Sequence, residues 1–265
     1  MSQSIGLVSI VVKVVPPITL LAACVFVFRG SAHAENAPTT QVPFVGCPSI
    51  GGVDPGTRPA PRHGPESLPK EPAVGAAQIA FYKAVDGPGV FAPLGWHCQT
   101  WSGSNGSFII VTPNVPPQVI PRERVKGRGV IAIESYGGTS GRFEVAEVSA
   151  RLFPVVMADF VARVKAEGFP VPDFAKIKPY PDDQYTYLNP KLVEFTTPAH
   201  EKGIGTGIFV PSTNPVRGVV SLAAGDERET NLLQFQLRLS PSDDRLAQTL
   251  IDLELQCLST SWPSC

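Results

Sequence analysis

Residues 96–113, WHCQTWSGSNGSFIIVTP, contain the local pattern from which the fold is most readily predicted. Two strand-like runs, at 96–101 and 107–113, flank the sequence SGSNG at 102–106. Asn-Gly tolerates positive φ at both central positions of a tight turn, and the run FIIV after it favours an extended backbone. The stretch therefore predicts a β-hairpin.

On both sides of this hairpin, short apolar runs bounded by turn residues predict further strands. They lie at residues 78–84, 129–136, 192–197, 203–210, 216–223 and 232–239. Residues 170–190 are polar and interrupted by prolines, which indicates a connection without regular structure.

Two segments have the apolar spacing of helices. Residues 143–167 predict a helix that is kinked or restarted at Pro154 and that ends at Gly168. Residues 242–258 predict a final helix with acidic residues in its first turn, where the helix dipole favours them. Strands outnumber helices and do not alternate strictly with them. We therefore expect an α+β fold, in which a largely antiparallel sheet is packed by these two main helices.

The first 34 residues have the order of a cleavable secretory signal. Lys13 supplies a positive charge, and residues 14–28 are apolar. Ala32 and Ala34 then stand at the two positions that a signal peptidase reads before a cut at Glu35. The sequence therefore predicts a periplasmic or secreted protein.

Two alternatives would keep the N-terminus at a membrane. Residues 5–28 are long enough to cross a hydrocarbon core of about 30 Å, although Lys13 would be costly there. The tetrapeptide LAAC at 21–24 matches the site of bacterial lipoprotein processing, which would lipidate Cys24, but the apolar run 25–28 follows it. Membrane contact is expected only if the N-terminus is uncut or lipidated.

The rest of the chain divides by composition. Residues 35–75 are dense in Pro and Gly and predict an extended arm, ordered only around Cys47. Residues 76–265 predict a globular α+β domain. The order of its elements, strands followed by a helix, occurs at 76–168 and again at 190–258, which suggests the hypothesis of two similar lobes.

Four cysteines remain once the signal is removed. They are Cys47, Cys98, Cys257 and Cys265, an even number that favours disulfides in an oxidising compartment. Of the three connectivities we favour Cys47–Cys98 with Cys257–Cys265. The scattered spacing lacks the paired ligands of a zinc site, so no metal centre is predicted.

Charge and motifs argue against several function classes. Lys and Arg number 22 against 23 Asp and Glu, a formal net charge of -1 that gives no reason to expect nucleic acid as a partner. Walker and dinucleotide-binding patterns are absent, so no cofactor is predicted. The acyl-hydrolase elbow G-x-S-x-G is absent as well.

Trp96 and His97 belong to the densest cluster of chemically capable side chains. His97 could serve as a base or ligand, and Trp96 with Trp101 could form a stacking surface for a sugar or peptide. The structural interpretation, which we favour, makes Cys98 half of a disulfide. Strand alternation then places Trp96 on the same face as Cys98 and His97 on the other.

The sequence GGTSGR at 137–142 joins a predicted strand to a predicted helix. Free backbone N–H groups and the helix dipole at such a junction can bind an anion, so Ser140 and Arg142 are candidate ligand-binding residues. The favoured alternative is a turn that needs glycine for its backbone, with Ser140 capping the helix.

Four stretches of the chain follow one another in a recognisable order: the run from APLGWHC through GSNGSFIIVTP, then SYGGTSGRFEVAEVSARLFP, VEFTTPAHEKGIGT and PVRGVVSL. They resemble segments of secreted bacterial proteins that have no assigned function. The resemblance covers most of residues 44–258 and implies a bacterial, exported protein. It implies no activity and no catalytic residue.

The leading hypothesis is a non-enzymatic exported protein that serves binding or structure, with an unknown partner. The alternative is a secreted hydrolase that uses His97 or His200 as base and Ser104 or Ser140 as nucleophile. The two hypotheses differ in geometry, because the enzyme needs a His nitrogen within about 3 Å of a hydroxyl, or one water away.

Overall fold

A computed structural model describes residues 39–51, 56–64, 70–72, 78–114, 124–223 and 229–261. The chain divides into two compact units, Met1–Asn36 and Ala37–Cys265, and every described residue lies in the second. The predicted signal peptide, the LAAC motif and Cys24 lie outside the described residues.

Fourteen strands are described in this unit. They are β1 Thr39–Gln41, β2 Phe44–Gly46, β3 Ser49–Gly51, β4 Thr57–Arg58, β5 Lys70–Pro72, β6 Ile79–Lys83, β7 Gly89–Pro93, β8 His97–Gly103, β9 Gly106–Thr112, β10 Gly129–Ser135, β11 Gln184–Asn189, β12 Leu192–Thr197, β13 Val216–Leu222 and β14 Leu232–Arg238.

Nine of these strands form one sheet in the order β11-β12-β13-β14-β10-β9-β8-β3-β4. Adjacent strands in this sheet are antiparallel, except that β3 and β8 run parallel to each other. A three-stranded sheet, β2-β6-β7, and the pair β1-β5 complete the architecture. The predicted α+β class is confirmed, with much more sheet than helix.

Three α-helices are described: α1 Arg142–Leu152, α2 Ala158–Ala166 and α3 Asp244–Ser261. The helix predicted at 143–167 is divided into α1 and α2 around Pro154, which has no N–H to continue the helical ladder. Gly168 follows α2 with a φ of 76°, as at many helix C-termini. A 3-10 turn at Pro241–Asp243 precedes α3.

The predicted hairpin is β8–β9, but its turn differs from the prediction by one residue. Gly103 pairs with Gly106, which leaves Ser104 and Asn105 as the turn. Asn105 has a negative φ, whereas Gly106 has a φ of 150°. A Cβ at Gly106 would lie 2.0 Å from the carbonyl oxygen of Glu134, so β10 requires a glycine at this position.

Three other expectations about secondary structure are corrected. The strand predicted at 203–210 is instead a 3-10 helix, Ile204–Thr206, followed by an isolated bridge at Phe209. Strand β7 was not predicted because Gly89 and Pro93 stand at its two ends, and the three apolar residues between them give a weak pattern. Strand β11 was not predicted because it is an edge strand with mainly exposed side chains, which removes the apolar alternation.

The two faces of the nine-stranded sheet contact separate hydrophobic cores. Alternation along β10 places Val130 and Ala132 in one core and Ile131 in the other. The first core lies against the three-stranded sheet and α3, and the second against α1 and α2. Among the described residues, no helix is both long enough and apolar enough to cross a bilayer.

The predicted disulfide between Cys47 and Cys98 is confirmed. It connects the Pro/Gly-rich segment to β8, and β3 of that segment pairs with β8 directly. Cys257 is also disulfide-bonded, and Cys265, the partner predicted for it, lies outside the described residues. The nine-stranded sheet takes strands from both predicted lobes, while the division into an arm and a globular domain stays a prediction.

Candidate functional site

A cavity of about 450 Å³ lies on the α1 side of the nine-stranded sheet, and we call it the α1-side cavity. Strands β8, β9, β10 and β14 form its floor, and Glu144 of α1 and the segment that follows β12 form its walls. The main side chains that line it are Trp101, Phe108, Ile133, Gln234, Gln236 and Ile204.

Strand register explains why these side chains meet. Phe108 pairs directly with Trp101 on one side and with Ile133 on the other, and Ile133 pairs with Gln234. Directly opposed residues project from the same face of a sheet, so the four side chains form one row across it. Gln236 follows two residues after Gln234 and therefore lies on the same face, in the next row.

The aromatic end of the row is an ordered stack. The rings of Trp101 and Phe108 are 5.0 Å apart and inclined by 18°, and the Trp101 side chain is 1% exposed. The turn of the β8–β9 hairpin closes this end, since Gly103, Asn105 and Gly106 also line the cavity.

Two polar atoms of residues that line the cavity have no hydrogen-bond partner in the described part of the chain. They are Nε1 of Trp101 and Oε1 of Gln236, and each residue is only 1% exposed. Gln234 on the same strand differs, because its Nε2 donates to Oε1 of Glu144 at 3.2 Å. Leaving a buried polar group unpaired costs about 1–3 kcal/mol, so a ligand or an ordered water that bonds to these atoms would stabilise the protein.

A second polar cluster lies on the other side of the sheet, and we call it the Lys83 cluster. It consists of Lys83 on β6, Glu134 on β10 and Glu254 on α3, which interact electrostatically. Burial raises the pKa of Glu254 to about 8 and also raises the pKa of Glu134. Burial lowers the pKa of Lys83, against the opposing effect of the two carboxyl groups.

The predicted cluster at Trp96 and His97 is not part of the cavity. Trp96 packs on the first core, and the guanidinium of Arg128 lies 5.7 Å from its ring centre. His97 is the exposed first residue of β8, about 20 Å along the strand from the Ser104 turn. Trp101, not Trp96, is the tryptophan that lines a cavity.

The predicted anion site at Ser140 and Arg142 has a different local structure. Arg142 donates through Nε to both carboxylate oxygens of Glu167, at 2.9 and 2.8 Å, and lies over the ring of Phe143. Gly141, not Ser140, is the N-cap of α1, and no side chain caps this helix. Ser140 is exposed, and its hydroxyl oxygen lies 3.4 Å from that of Ser104.

The structure brings the two candidate serines together without a histidine. His200 is exposed in a turn with a φ of 65°, and its backbone N–H donates to the Ser212 carbonyl. Within the described residues, neither His97 nor His200 hydrogen-bonds to a serine hydroxyl. The hydrolase alternative stays a prediction that no contact supports.

One pattern in the sequence could have indicated the residues that line the cavity. Strand β14, LLQFQLR, places Gln234, Gln236 and Arg238 at every second position among apolar residues, and all seven are buried. Polar residues at alternate positions of a buried strand indicate a polar strip on one face.

No family model, curated protein or solved structure matches the chain. Across the residues that the structure describes, no group of three His, Cys, Asp or Glu side chains could hold a metal ion.

Proposed function

We propose that the chain is an exported binding protein that holds a small molecule in the α1-side cavity. The observation that carries the proposal is the pair of buried, unpartnered atoms, Nε1 of Trp101 and Oε1 of Gln236, in the lining of one cavity. One atom donates and the other accepts, and they stand three strands apart on one face of the sheet, so a molecule that reached both would need an acceptor and a donor group at its two ends.

The size and lining of the cavity support this interpretation. Its volume of about 450 Å³ is within the range of sites that bind small molecules, roughly 300–1,000 Å³. Its lining combines apolar side chains, such as Phe108 and Ile133, with a larger number of polar residues, among them Gln234, Gln236 and Glu144, which can orient a polar ligand.

Replacing Gln236 with methionine is expected to stabilise the ligand-free protein by about 1–2 kcal/mol, because the change removes an unpaired buried acceptor. Gln234→Met is the matched control on the same strand and face, and we expect it to destabilise by up to about 1 kcal/mol because it loses the bond to Glu144. Urea unfolding of both variants and the unmodified protein measures the difference.

Binding is measured with a variant in which Trp96 and Trp262 are replaced by phenylalanine, so that fluorescence reports on Trp101 alone. A library of small polar metabolites is titrated, and a ligand of the cavity is expected to change the Trp101 emission. The same ligand should bind Gln236→Met more weakly. If Gln236→Met instead destabilises the protein as much as a lost core hydrogen bond does, Gln236 is structural and the proposal fails.

The Cys47–Cys98 disulfide is compatible with a periplasmic or secreted location, since disulfides persist in oxidising compartments. We infer that residues 1–34 are removed on export. Intact mass spectrometry of the exported protein is expected to give a chain that starts at Glu35, with a mass that rises by about four hydrogens on reduction. A chain that still carries residues 1–34, or a lipid on Cys24, would instead place the protein at a membrane.

A further inference from the structure

The two edge strands of the nine-stranded sheet differ in length and in charge. At one edge, β4 has two residues, Thr57–Arg58, and the guanidinium of Arg58 pairs with Asp86. At the other edge, β11 has six residues, Gln184–Asn189, whose sequence QYTYLN contains no charged residue and no proline. Short or charged edge strands resist pairing with another chain, whereas a longer uncharged one accepts it. The edge at β4 is therefore blocked, and the edge at β11 is not.

Strand β11 presents backbone groups to an added strand. Among the described residues, only β12 pairs with it, in regular register from Gln184 to Tyr187, and a bulge follows between Tyr187 and Asn189. In an antiparallel strand, alternate residues point their N–H and C=O groups away from the neighbouring strand, so this regular part offers about two residues and up to about four main-chain hydrogen bonds. The side chains of β11 are mainly exposed, and that of Tyr187 is 52% exposed.

A second cavity, of about 470 Å³, reaches this edge of the sheet, and we call it the α2 groove. Tyr187 of β11 lines it, together with residues of α1, of α2 and of the segment around the 3-10 turn Phe174–Lys176. Directly opposed residues of paired strands have Cβ atoms about 5 Å apart, so a residue paired with Tyr187 projects its side chain next to the groove. Most of the lining is small or apolar, including Ala158, Val161, Ala162, Phe174 and Ile177.

The charged side chains that line the α2 groove are all cationic. They are Arg151, Lys165 and Lys178, and no Asp or Glu is among the described residues of the lining. Two of them have acidic neighbours outside it: Glu147 lies 3.5 Å from Arg151, and Asp173 lies 3.6 Å from Lys165. Lys178 has no ion pair within the described part of the chain. This charge distribution favours a partner that is apolar at its centre and acidic around it.

We propose that β11 and the α2 groove form one docking site for an extended, acidic segment of a partner protein, which adds to the sheet as a further strand. Main-chain hydrogen bonds to β11 fix the register of the segment, and its side chains at every second position face the groove. One apolar side chain enters the groove beside Tyr187, and carboxylates on either side of it pair with Lys165 and Lys178.

A second copy of the chain fits this edge less well. Antiparallel pairing of β11 with β11 of another copy relates the two by a twofold axis perpendicular to the sheet, which places both α2 grooves on the same side. Two sets of cations would then face each other across the new interface, and like charges oppose association. The charge of the groove therefore favours an acidic partner.

Two peptides, acetyl-TETFTET-amide and acetyl-TKTFTKT-amide, test the site by calorimetric titration of the whole exported protein. In each peptide, the aromatic residue and the two charged residues project from the same face of a strand. The acidic peptide is expected to bind at least about tenfold more tightly than the basic one, and the difference should shrink as the ionic strength rises. Failure of the acidic peptide to bind, or equal binding of both, would overturn the inference.

Charge reversal in the groove tests the role of the cations. A variant with Lys165→Glu and Lys178→Glu should bind the acidic peptide at least about tenfold more weakly than the unmodified protein. Arg245→Glu is the matched control, because Arg245 is an exposed cation of α3, on the opposite side of the sheet, and this variant should bind as the unmodified protein does. An equal loss in both variants would show a non-specific effect of net charge and would contradict the site.

Hydrogen exchange distinguishes strand addition from binding in the groove alone. The outward-facing amides of β11 are expected to exchange rapidly in the free protein and at least about tenfold more slowly with the acidic peptide bound, because they then donate to its carbonyl groups. Binding that leaves this exchange unchanged would contradict strand addition. Slow exchange in the free protein would show that another segment of the same chain already covers β11, and the inference would be wrong.

Tyr187→Glu separates docking from folding. Because the side chain is half-exposed, the unfolding temperature should change by no more than about 3 °C. The acidic peptide should bind at least about tenfold more weakly, since the variant loses the ring beside the groove and gains a like charge. Sedimentation equilibrium of the unmodified protein is expected to show a monomer. A dimer that Tyr187→Glu abolishes would assign β11 to a second copy and overturn the inference.

Discussion

Replacing Glu254 with glutamine is expected to raise the free energy of unfolding at pH 8 by about 3–4 kcal/mol. The variant should also lack most of the stability loss that the unmodified protein shows between pH 5 and 8. Glu254 is 3% exposed, and its Oε2 has no hydrogen-bond partner in the described part of the chain. Lys83 interacts electrostatically with Glu254 and also with Glu134. The carboxyl group therefore stays protonated in the folded protein at pH values where it ionises in the unfolded chain.

The direction of the effect follows from proton binding. The pKa of Glu254 is about 8 in the folded protein against 4.5 for a free side chain, so the folded state holds the proton more tightly. Stability from this group is full below pH 4.5 and is lost as the pH rises to about 8. Glu134, whose pKa is also raised, acts in the same direction. Lys83 opposes both shifts without reversing either one.

Urea unfolding between pH 5 and 8 measures this effect for the unmodified protein and for Glu254→Gln. Asp252→Asn is the matched control, because Asp252 is an exposed carboxylate on the same helix. The free energy of unfolding of this variant should depend on pH as it does in the unmodified protein. A profile that is flat in the unmodified protein, or that is unchanged in Glu254→Gln, would contradict a buried and protonated Glu254.

Replacing both Cys47 and Cys98 with alanine is expected to destabilise the protein by about 4 kcal/mol, the entropic contribution of a disulfide that closes a loop of about 50 residues. The cysteines are 51 positions apart, and the bond connects the segment that carries β2, β3 and β4 to strand β8. The expected result is a lower urea midpoint together with faster hydrogen exchange in β3, which pairs with β8.

The variant is a sharper test than reduction, because a reductant also acts on the disulfide of Cys257. The matched control replaces Cys257 and Cys265 with alanine, and it should leave hydrogen exchange in β3 unchanged. If the free energy of unfolding of the Cys47/Cys98 variant falls by less than about 1 kcal/mol, the prediction is wrong. The pairing of β3 with β8 and the buried contacts of this segment would then fix the segment without the covalent bond.

Local patterns predicted most of the central sheet. The hairpin, β10, β12, β13 and β14 were predicted because each is an apolar run next to strong turn residues. The break between α1 and α2 followed from Pro154. The predicted strand at 203–210 was wrong, because the apolar residues there pack as single side chains, such as Ile204 and Phe209, in the second core.

The candidate site was predicted much less well. The residues with reactive groups that the sequence singles out are exposed or bonded to neighbours, as Arg142 is to Glu167. The cavity is lined instead by glutamine, tryptophan and isoleucine, which have no catalytic motif. Their proximity depends on the strand order and register, which join β8 and β14 through β9 and β10.

The sequence by itself determined the α+β class, the hairpin and most of the strands of the sheet, because each depends on periodicity or turn chemistry. Its even number of cysteines favoured disulfides, and the structure decided that Cys47 pairs with Cys98. The tertiary structure alone decided that Trp101, Gln236 and Arg238 share one face, and that Lys83, Glu134 and Glu254 meet in a core. The physical reason is that an unpaired atom or a shifted pKa arises from burial among residues distant in the chain. No local pattern of residues encodes that burial.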